Sequence, residues 1–393
     1  QALAELATQE MGKLIGQSTG EVALSAAIID YYADHAEAFL APEPLKTDKG
    51  HAVVESSPLG VLFGVQPWNY PYYQVARFAA PNLMAGNVVM VKHASNVPQC
   101  ALAFEQLMHD AGLPAGGYTN LFVSKDQVAA LIDDARVRGV ALTGSEAAGA
   151  VVAARAGQNL KKSTLELGGS DAFIVLEDAD MARAVKQAVN GRMGNAGQAC
   201  TASKRFIVLD AVADAFFDQF KAAMEQFKPG DPMDGRSTLA PLSSAEALDK
   251  LEQQVRTAVQ HGATLVLGGQ RVAGTQGNFM QPTILTDIAE ENPMFSEEFF
   301  GPVALFFRVP DEGAAVALAN NSPFGLGGSV FTKDVERGRR VARRIETGMV
   351  FVNSAAVSLP DLPFGGSKNS GYGRELSAAG IQEFVNKKLI RVA

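Results

Sequence analysis

Short apolar runs alternate with stretches of helical periodicity along most of this chain, the pattern of strands threaded between helices in a parallel sheet. Residues 60–65 read as a strand, 71–85 as a helix with proline at its start, and 87–92 as the next strand. Residues 97–110 look helical, and 118–123 and 139–143 strand-like. The turn Thr143-Gly144-Ser145 then opens a helix through Ala156. This succession predicts a doubly wound nucleotide-binding fold. The alternation resumes beyond residue 168 with a buried strand at 173–176, a helix at 181–192, a strand at 204–209 and further α/β units to a strand at 350–353.

Two segments fit neither period. Residues 50–56 alternate as a strand after a proline-rich approach, and residues 384–392 mix basic and apolar positions. A solitary hairpin is marginal in water, so both are expected to find a partner sheet. Residues 1–16 read as the middle of an amphipathic helix, and the first residue is Gln1, so an N-terminal segment is expected to be missing.

Composition narrows the class. With 393 residues, 47% hydrophobic and 19% charged, the chain can bury a large core and is expected to form two or three domains. A formal net charge of −8 argues against nucleic acid or an anionic membrane as partner. Two cysteines, Cys100 and Cys200, make a disulfide framework a poor reading and fit a reducing compartment. No apolar run is long enough to span a bilayer and no signal-peptide pattern opens the chain, so a cytoplasmic location is expected. No metal site is expected.

Candidate chemistry centres on Cys200, which ends Gly197-Gln198-Ala199-Cys200 and follows Glu166 of Leu165-Glu166-Leu167-Gly168-Gly169 by 34 positions. A thiol behind a glycine-rich bend can be presented to a substrate, and a carboxylate from a second segment can serve as its base. In isolation Cys200 would be a core cysteine and Glu166 a buried, hydrogen-bonded carboxylate, a reading that Cys100 keeps. No Gly-x-Gly-x-x-Gly fingerprint is present. Gly144-Ser145-Glu146-Ala147-Ala148-Gly149 instead follows a strand and starts a helix, placing backbone N–H groups where a pyrophosphate can sit.

Pro67-Trp68-Asn69, Val91-Lys92-His93, the Glu166 and Cys200 segments and Glu297-Glu298-Phe299-Phe300-Gly301-Pro302 occur in order, with Asn69 preceding Lys92 by 23 positions. Together they resemble the aldehyde dehydrogenase superfamily, over essentially the whole chain. The resemblance implies an α/β, aldehyde dehydrogenase-like fold with a Rossmann-type cofactor domain (1–37 and 58–168), an α/β catalytic domain (169–375) and a small oligomerisation arm (38–57 and 376–393). It also implies a homodimer or homotetramer.

The same resemblance assigns roles. Cys200 attacks the aldehyde, the Asn69 amide and the Cys200 backbone N–H receive the developing oxyanion, and Glu166 activates the water that releases a carboxylic acid. Lys92 reaches the adenosine ribose, Glu298 the nicotinamide ribose, and Phe300 packs beside the nicotinamide. Pro67, Trp68, Gly144 and Ser145 belong to the same cofactor site. NAD-preferring relatives commonly carry glutamate three residues after the lysine, where this chain has Ser95. Glutamate repels a 2′-phosphate, whereas serine can donate to it beside the charge of Lys92, so NADP is expected with NAD also admitted.

Arg77, eight residues after Asn69, stands where succinate-semialdehyde dehydrogenases have an arginine for the substrate carboxylate, and residues 89–98 look like that subgroup. Succinate semialdehyde is therefore the expected substrate, with Ser358 as a second contact. One branch of the subgroup has a further arginine just before the nucleophile, where this chain reads Met193-Gly194-Asn195, with Arg192 slightly earlier. The alternatives are another small aldehyde, a salt-bridged helix arginine at Arg77, a cofactor-independent Glu-Lys-Cys hydrolase built on Glu166, Lys92 and Cys200, or a non-catalytic derivative.

Overall fold

Strand Val61–Gln66 lies inside a six-stranded sheet, flanked in parallel by Val88–His93 on one side and Val137–Thr143 on the other. Tyr118–Asn120 continues the sheet in parallel beyond the first neighbour and Lys162–Glu166 beyond the second. A two-residue strand, Gly371–Tyr372, closes the Lys162–Glu166 edge antiparallel. The chain enters at the middle, winds outward one way, then returns to wind the other way. The central strand and Val137–Thr143 therefore meet at a topological switch point, the place where open α/β sheets bind ligands at the carboxyl ends of their strands.

The computed structural model describes residues 1–393, and this sheet belongs to one of its two compact units, made of Thr19–Glu166, Ser358–Gly365 and Gly371–Ala393. Alternation explains why the sheet forms. Leu62, Phe63, Val89, Val91, Val140 and Leu142 are all buried, and each such side chain contributes roughly 1.5–3 kcal/mol on leaving water. Helices Tyr73–Met84, Pro98–Asp110 and Glu146–Gln158 alternate with the strands, the last capped by the Ser145 hydroxyl, which accepts from the Ala148 N–H. The two segments that fitted neither period pair with each other: His51–Pro58 and Val385–Val392 run antiparallel in a three-stranded sheet completed by Glu43–Leu45.

The other unit comprises Gln1–Ser18, Leu167–Val357 and Gly366–Ser370. Its seven-stranded sheet is parallel except at the Thr264–Leu267 edge, with Ser203–Leu209 near the middle between Asp171–Val175 and Val303–Val309. Every residue of Ser203–Leu209 is buried. Phe173, Phe206, Phe216, Phe220 and Phe331 stack in the core beneath it. The first helix, read from sequence as running through residue 16, ends at Met11, and a second begins at Ile15.

Candidate active site

In the unit of the seven-stranded sheet, helix Met181–Met193 ends at Gly194 and a short turn over Gly194–Gly197 leads to Cys200, three residues before strand Ser203–Leu209. Asn195, Ala196 and Gly197 all have positive φ, at 52°, 51° and 74°. Left-handed backbone costs a residue with a Cβ roughly 1–2 kcal/mol, so the turn holds only because its surroundings fix it. Arg192 Nη2 donates to the Gly197 carbonyl at 2.7 Å, and Gln198 Nε2 donates to the carbonyls of Asn195 at 3.1 Å and Pro241 at 3.4 Å. The side-chain oxygen of Gln198, Oε1, in turn accepts from the Ser243 N–H at 2.9 Å. A Cβ on Gly197 would collide with the Gly301 carbonyl, so glycine brings the nucleophile turn against the Glu-Glu-Phe-Phe-Gly-Pro segment.

That segment supplies Glu298, mostly buried, with Phe299 wholly in the core and Phe300 half-buried. Glu298 Oε1 pairs with Lys204 Nζ at 3.1 Å and accepts the Gly169 N–H at 3.1 Å. Cys200 itself is half-buried, whereas Cys100 is fully buried in its helix, as the core reading expects. Around the turn lies a set of buried charges. Burial lowers Arg192 to about 9 and Arg205 to about 10, the latter donating to the carbonyls of Ser170, Leu318 and Ala319 at 2.8 Å each.

Asp171 is pushed up to about 6, chiefly by burial, against the opposing pull of Lys204, the Gly327 N–H and Arg205. A carboxyl raised in the folded state binds its proton there over a range in which the unfolded chain has lost it. Its stabilising contribution is therefore full below its ordinary value of 3.8 and declines as pH rises toward about 6. Asp171→Asn removes that decline. Melting temperatures of the variant measured from pH 4 to pH 7 are expected to gain steadily on the wild type across the window, and a constant difference would refute the assignment.

In the unit of the six-stranded sheet, the expected cofactor residues gather at one edge. Pro67 and Trp68 follow strand Val61–Gln66, Lys92 is the penultimate residue of Val88–His93 with Ser95 exposed just beyond, and Gly144 and Ser145 follow Val137–Thr143. All six stand at or just past the carboxyl ends of adjacent parallel strands. Lys92 is half-buried, its amine held below the usual lysine range first by burial and then by the charge of Lys125. Gln66, on the central strand, has both amide atoms buried with no hydrogen-bond partner within the protein.

Asn69 is buried, and its side-chain oxygen accepts from Gln74 Nε2 at 3.0 Å. Gln74 is thus a partner of Asn69 that sequence reading missed. Glu166 ends strand Lys162–Glu166 with its backbone paired to Thr143 and Gly371. Its carboxyl is buried and neither oxygen has a hydrogen-bond partner within the protein, unlike the hydrogen-bonded carboxylate that isolation would predict. Burial drives its pKa well above the usual range, opposed by Arg77 and Arg374 and reinforced by Glu375 and Glu383.

Arg77 is buried in helix Tyr73–Met84 and is ion-paired through Nε to Glu375. Its guanidinium lies 4.1 Å from the Phe364 ring centre and 4.9 Å from that of Tyr73. The salt-bridged arginine weighed from sequence is therefore present. A second feature accompanies it: Arg77 Nη1 donates to the Tyr73 hydroxyl at 3.0 Å, which donates to the Ser358 hydroxyl at 2.8 Å. Both expected substrate residues are thus joined through Tyr73, a residue that carried no role in the sequence.

Residues 1–390 match the family model described as the aldehyde dehydrogenase family. The chain belongs to that family. A succinate-semialdehyde dehydrogenase [NADP(+)] of Deinococcus radiodurans is 53% identical over 389 residues, covering 99% of this chain and 81% of the relative. The succinate semialdehyde dehydrogenase [NAD(P)+] Sad of Escherichia coli K12 is 46% identical, covering 98% of this chain and 83% of the relative. A crystal structure of succinic semialdehyde dehydrogenase from Streptococcus pyogenes with NADP+ superposes with a TM-score of 0.98 at 50% identity, covering all of this chain and 86% of that one. The α/β, Rossmann-type architecture expected from sequence is the architecture of this aldehyde dehydrogenase. No helix of it is long and apolar enough to cross a membrane.

Proposed function

We propose that this aldehyde dehydrogenase oxidises succinate semialdehyde to succinate, with NADP as the favoured acceptor and NAD also used. The observation that carries the substrate is the chain of bonds from Arg77 through Tyr73 to Ser358, a cation and two hydroxyls within one hydrogen-bonded group. A carboxylate recruits such donors, and a neutral aldehyde has no use for them. The relatives named above act on this substrate, which supports the reading. Cofactor reduction measured with succinate semialdehyde and acetaldehyde, each with NADP and NAD, tests it. A preference for acetaldehyde would refute the substrate.

The residues fit a nicotinamide dinucleotide. Gln66 has an orphaned buried amide at the switch point, Ser145 caps a helix whose N-terminus favours anions, and Lys92 with Ser95 offers charge and a hydroxyl at the neighbouring strand end. Pro67, Trp68, Gly144, Glu298 and Phe300 complete the set proposed to hold it. When bound, it supplies a nicotinamide that takes hydride from the substrate carbon. Cys200, as thiolate, forms the carbon–sulfur bond to the aldehyde. The Asn69 amide and the Cys200 N–H stabilise the alkoxide that results. Once the substrate carbon is oxidised to a thioester on Cys200, Glu166 takes a proton from water, and the hydroxide released cleaves the thioester to succinate and thiol.

Ser95→Glu places a carboxylate beside the site proposed for the 2′-phosphate. Its kcat/KM with NADP is expected to fall by at least about tenfold relative to NAD, an energy of about 1.4 kcal/mol. An unchanged ratio would remove Ser95 from the adenosine ribose. We further propose a homodimer or homotetramer in the cytoplasm. Strand Val385–Val392 lies at the edge of its three-stranded sheet with Leu389 and Val392 exposed, which supports pairing with another copy. Sedimentation of a monomer at micromolar concentration would overturn the oligomer.

A further inference from the structure

Lys204 is a fully buried lysine that the chemistry above leaves unused. It stands second in strand Ser203–Leu209, and its ammonium donates to the carbonyls of Cys200 at 2.8 Å, Ala199 at 3.0 Å and Ala202 at 3.4 Å. Its remaining contact is the ion pair with Glu298 Oε1 at 3.1 Å, and that oxygen also accepts the Gly169 N–H. The arrangement closes on itself. A Cβ on Gly169 would lie 2.6 Å from the Cys200 carbonyl oxygen, so glycine is what allows the two backbones to touch.

Burying an ammonium is costly, and packing alone would be met by methionine at lower cost. The benefit is geometric. No peptide bond in the chain is cis, so a peptide carbonyl and the N–H of the same plane point in opposite directions. With the Ala199 carbonyl drawn to Lys204, the Cys200 N–H is turned away from it and held there. That N–H is the backbone donor proposed for the oxyanion. Through Glu298 the same ammonium fixes the carboxylate proposed for the nicotinamide ribose.

We infer that Lys204 is a positioning residue, which sets the Cys200 peptide and Glu298 in one frame so that nucleophile, oxyanion donor and cofactor carboxylate are registered together. The inference rests on Cys200 being the nucleophile, and a cofactor-free reaction separates the two. p-Nitrophenyl acetate is mixed with the enzyme. The Cys200 thiolate forms a bond to the acetyl carbon, the bond between that carbon and the phenolic oxygen breaks, and nitrophenolate leaves and is read by absorbance. Peptide mass analysis locates the acetyl group.

In a Glu166→Gln background, which lacks the base proposed to release the thioester, the chain with Lys204 intact is expected to take one acetyl per chain on Cys200. If it takes none there, the nucleophile reading fails and not the role of Lys204. Lys204→Met in the same background is expected to reach the same amplitude with a rate constant lower by roughly 10- to 100-fold, the loss produced by a misplaced donor. Gly169→Ala, which keeps the lysine but presses on the Cys200 carbonyl, is expected to slow acylation in the same way and covers the case in which Lys204→Met does not fold. Binding of NADP to Lys204→Met, followed by fluorescence, is expected to weaken by at least about threefold as Glu298 loses its anchor. Acylation in both variants at the rate of the Glu166→Gln parent would overturn the inference, as would a reduced amplitude at an unchanged rate, which is the mark of lost folded protein. NADP affinity at the wild-type value would overturn the part that runs through Glu298.

Discussion

Cys200→Ala is expected to end aldehyde oxidation, lowering kcat by about 10⁴-fold or more, while Glu166→Gln reduces one equivalent of cofactor per chain and then stalls. The two outcomes differ because the thiol is needed to oxidise the aldehyde and the carboxylate to release the product. Intact mass of Glu166→Gln after one turnover is expected to show a succinyl adduct on Cys200. Normal steady-state turnover in either variant would refute the division of labour. The pH profile carries the same information. Glu166 must lose a proton to act as base, and burial raises its pKa well above the usual range, so the deacylation rate is expected to climb as pH rises through that raised value. Its folded pKa being raised, Glu166 stabilises the fold most below its ordinary 4.5, and that stability is lost as pH rises through the folded value. Glu166→Gln is accordingly expected to melt higher than the wild type in alkaline buffer, even as it loses turnover.

The second large effect concerns Arg77, and its measurement has to respect Glu375. Arg77→Leu alone strands a buried carboxylate, a change that typically costs about 3–5 kcal/mol of stability. Replacing both partners by leucine removes the pair without leaving a charge behind, and such exchanges are often neutral. The double variant is therefore the one that reads substrate binding. Its kcat/KM for succinate semialdehyde is expected to fall by at least tenfold, within the roughly 2–5 kcal/mol that a desolvated charge pair carries, with that for butanal unchanged or improved. Equal losses for the two aldehydes would show that Arg77 and Glu375 serve only the fold.

The sequence made the strand and helix alternation legible because burial on both faces of a parallel sheet writes continuous apolar runs. Strands read at 60–65, 87–92 and 204–209 appear within a residue as Val61–Gln66, Val88–His93 and Ser203–Leu209. The nucleophile, base and oxyanion candidates could be proposed because their chemistry demands particular residue types beside glycine turns. What could not be read were the partners that long-range folding supplies. Glu375 meets Arg77 from nearly three hundred positions away, and Ser358 meets Tyr73 across 285. Lys204 did leave a signal: a charged residue inside the buried run 203–209 has to be held by something. Gln74 left none, because a polar residue five positions past Asn69 looks like any other.

The three-stranded sheet bears on how the molecule is made. Strand His51–Pro58 takes its longest partner from Val385–Val392, and Ser56 and Lys387, bonded at 2.8 Å, are 331 positions apart. A ribosome adding about 5–20 residues per second leaves the earlier strand waiting on the order of tens of seconds for the later one. Throughout that interval a nascent chain displays an open strand edge, guarded on its other side only by the three residues Glu43–Leu45. Polysomes translating this message would therefore hold many such edges close together, which makes neighbouring nascent chains, and the chaperones that separate them, a determinant of yield for this enzyme.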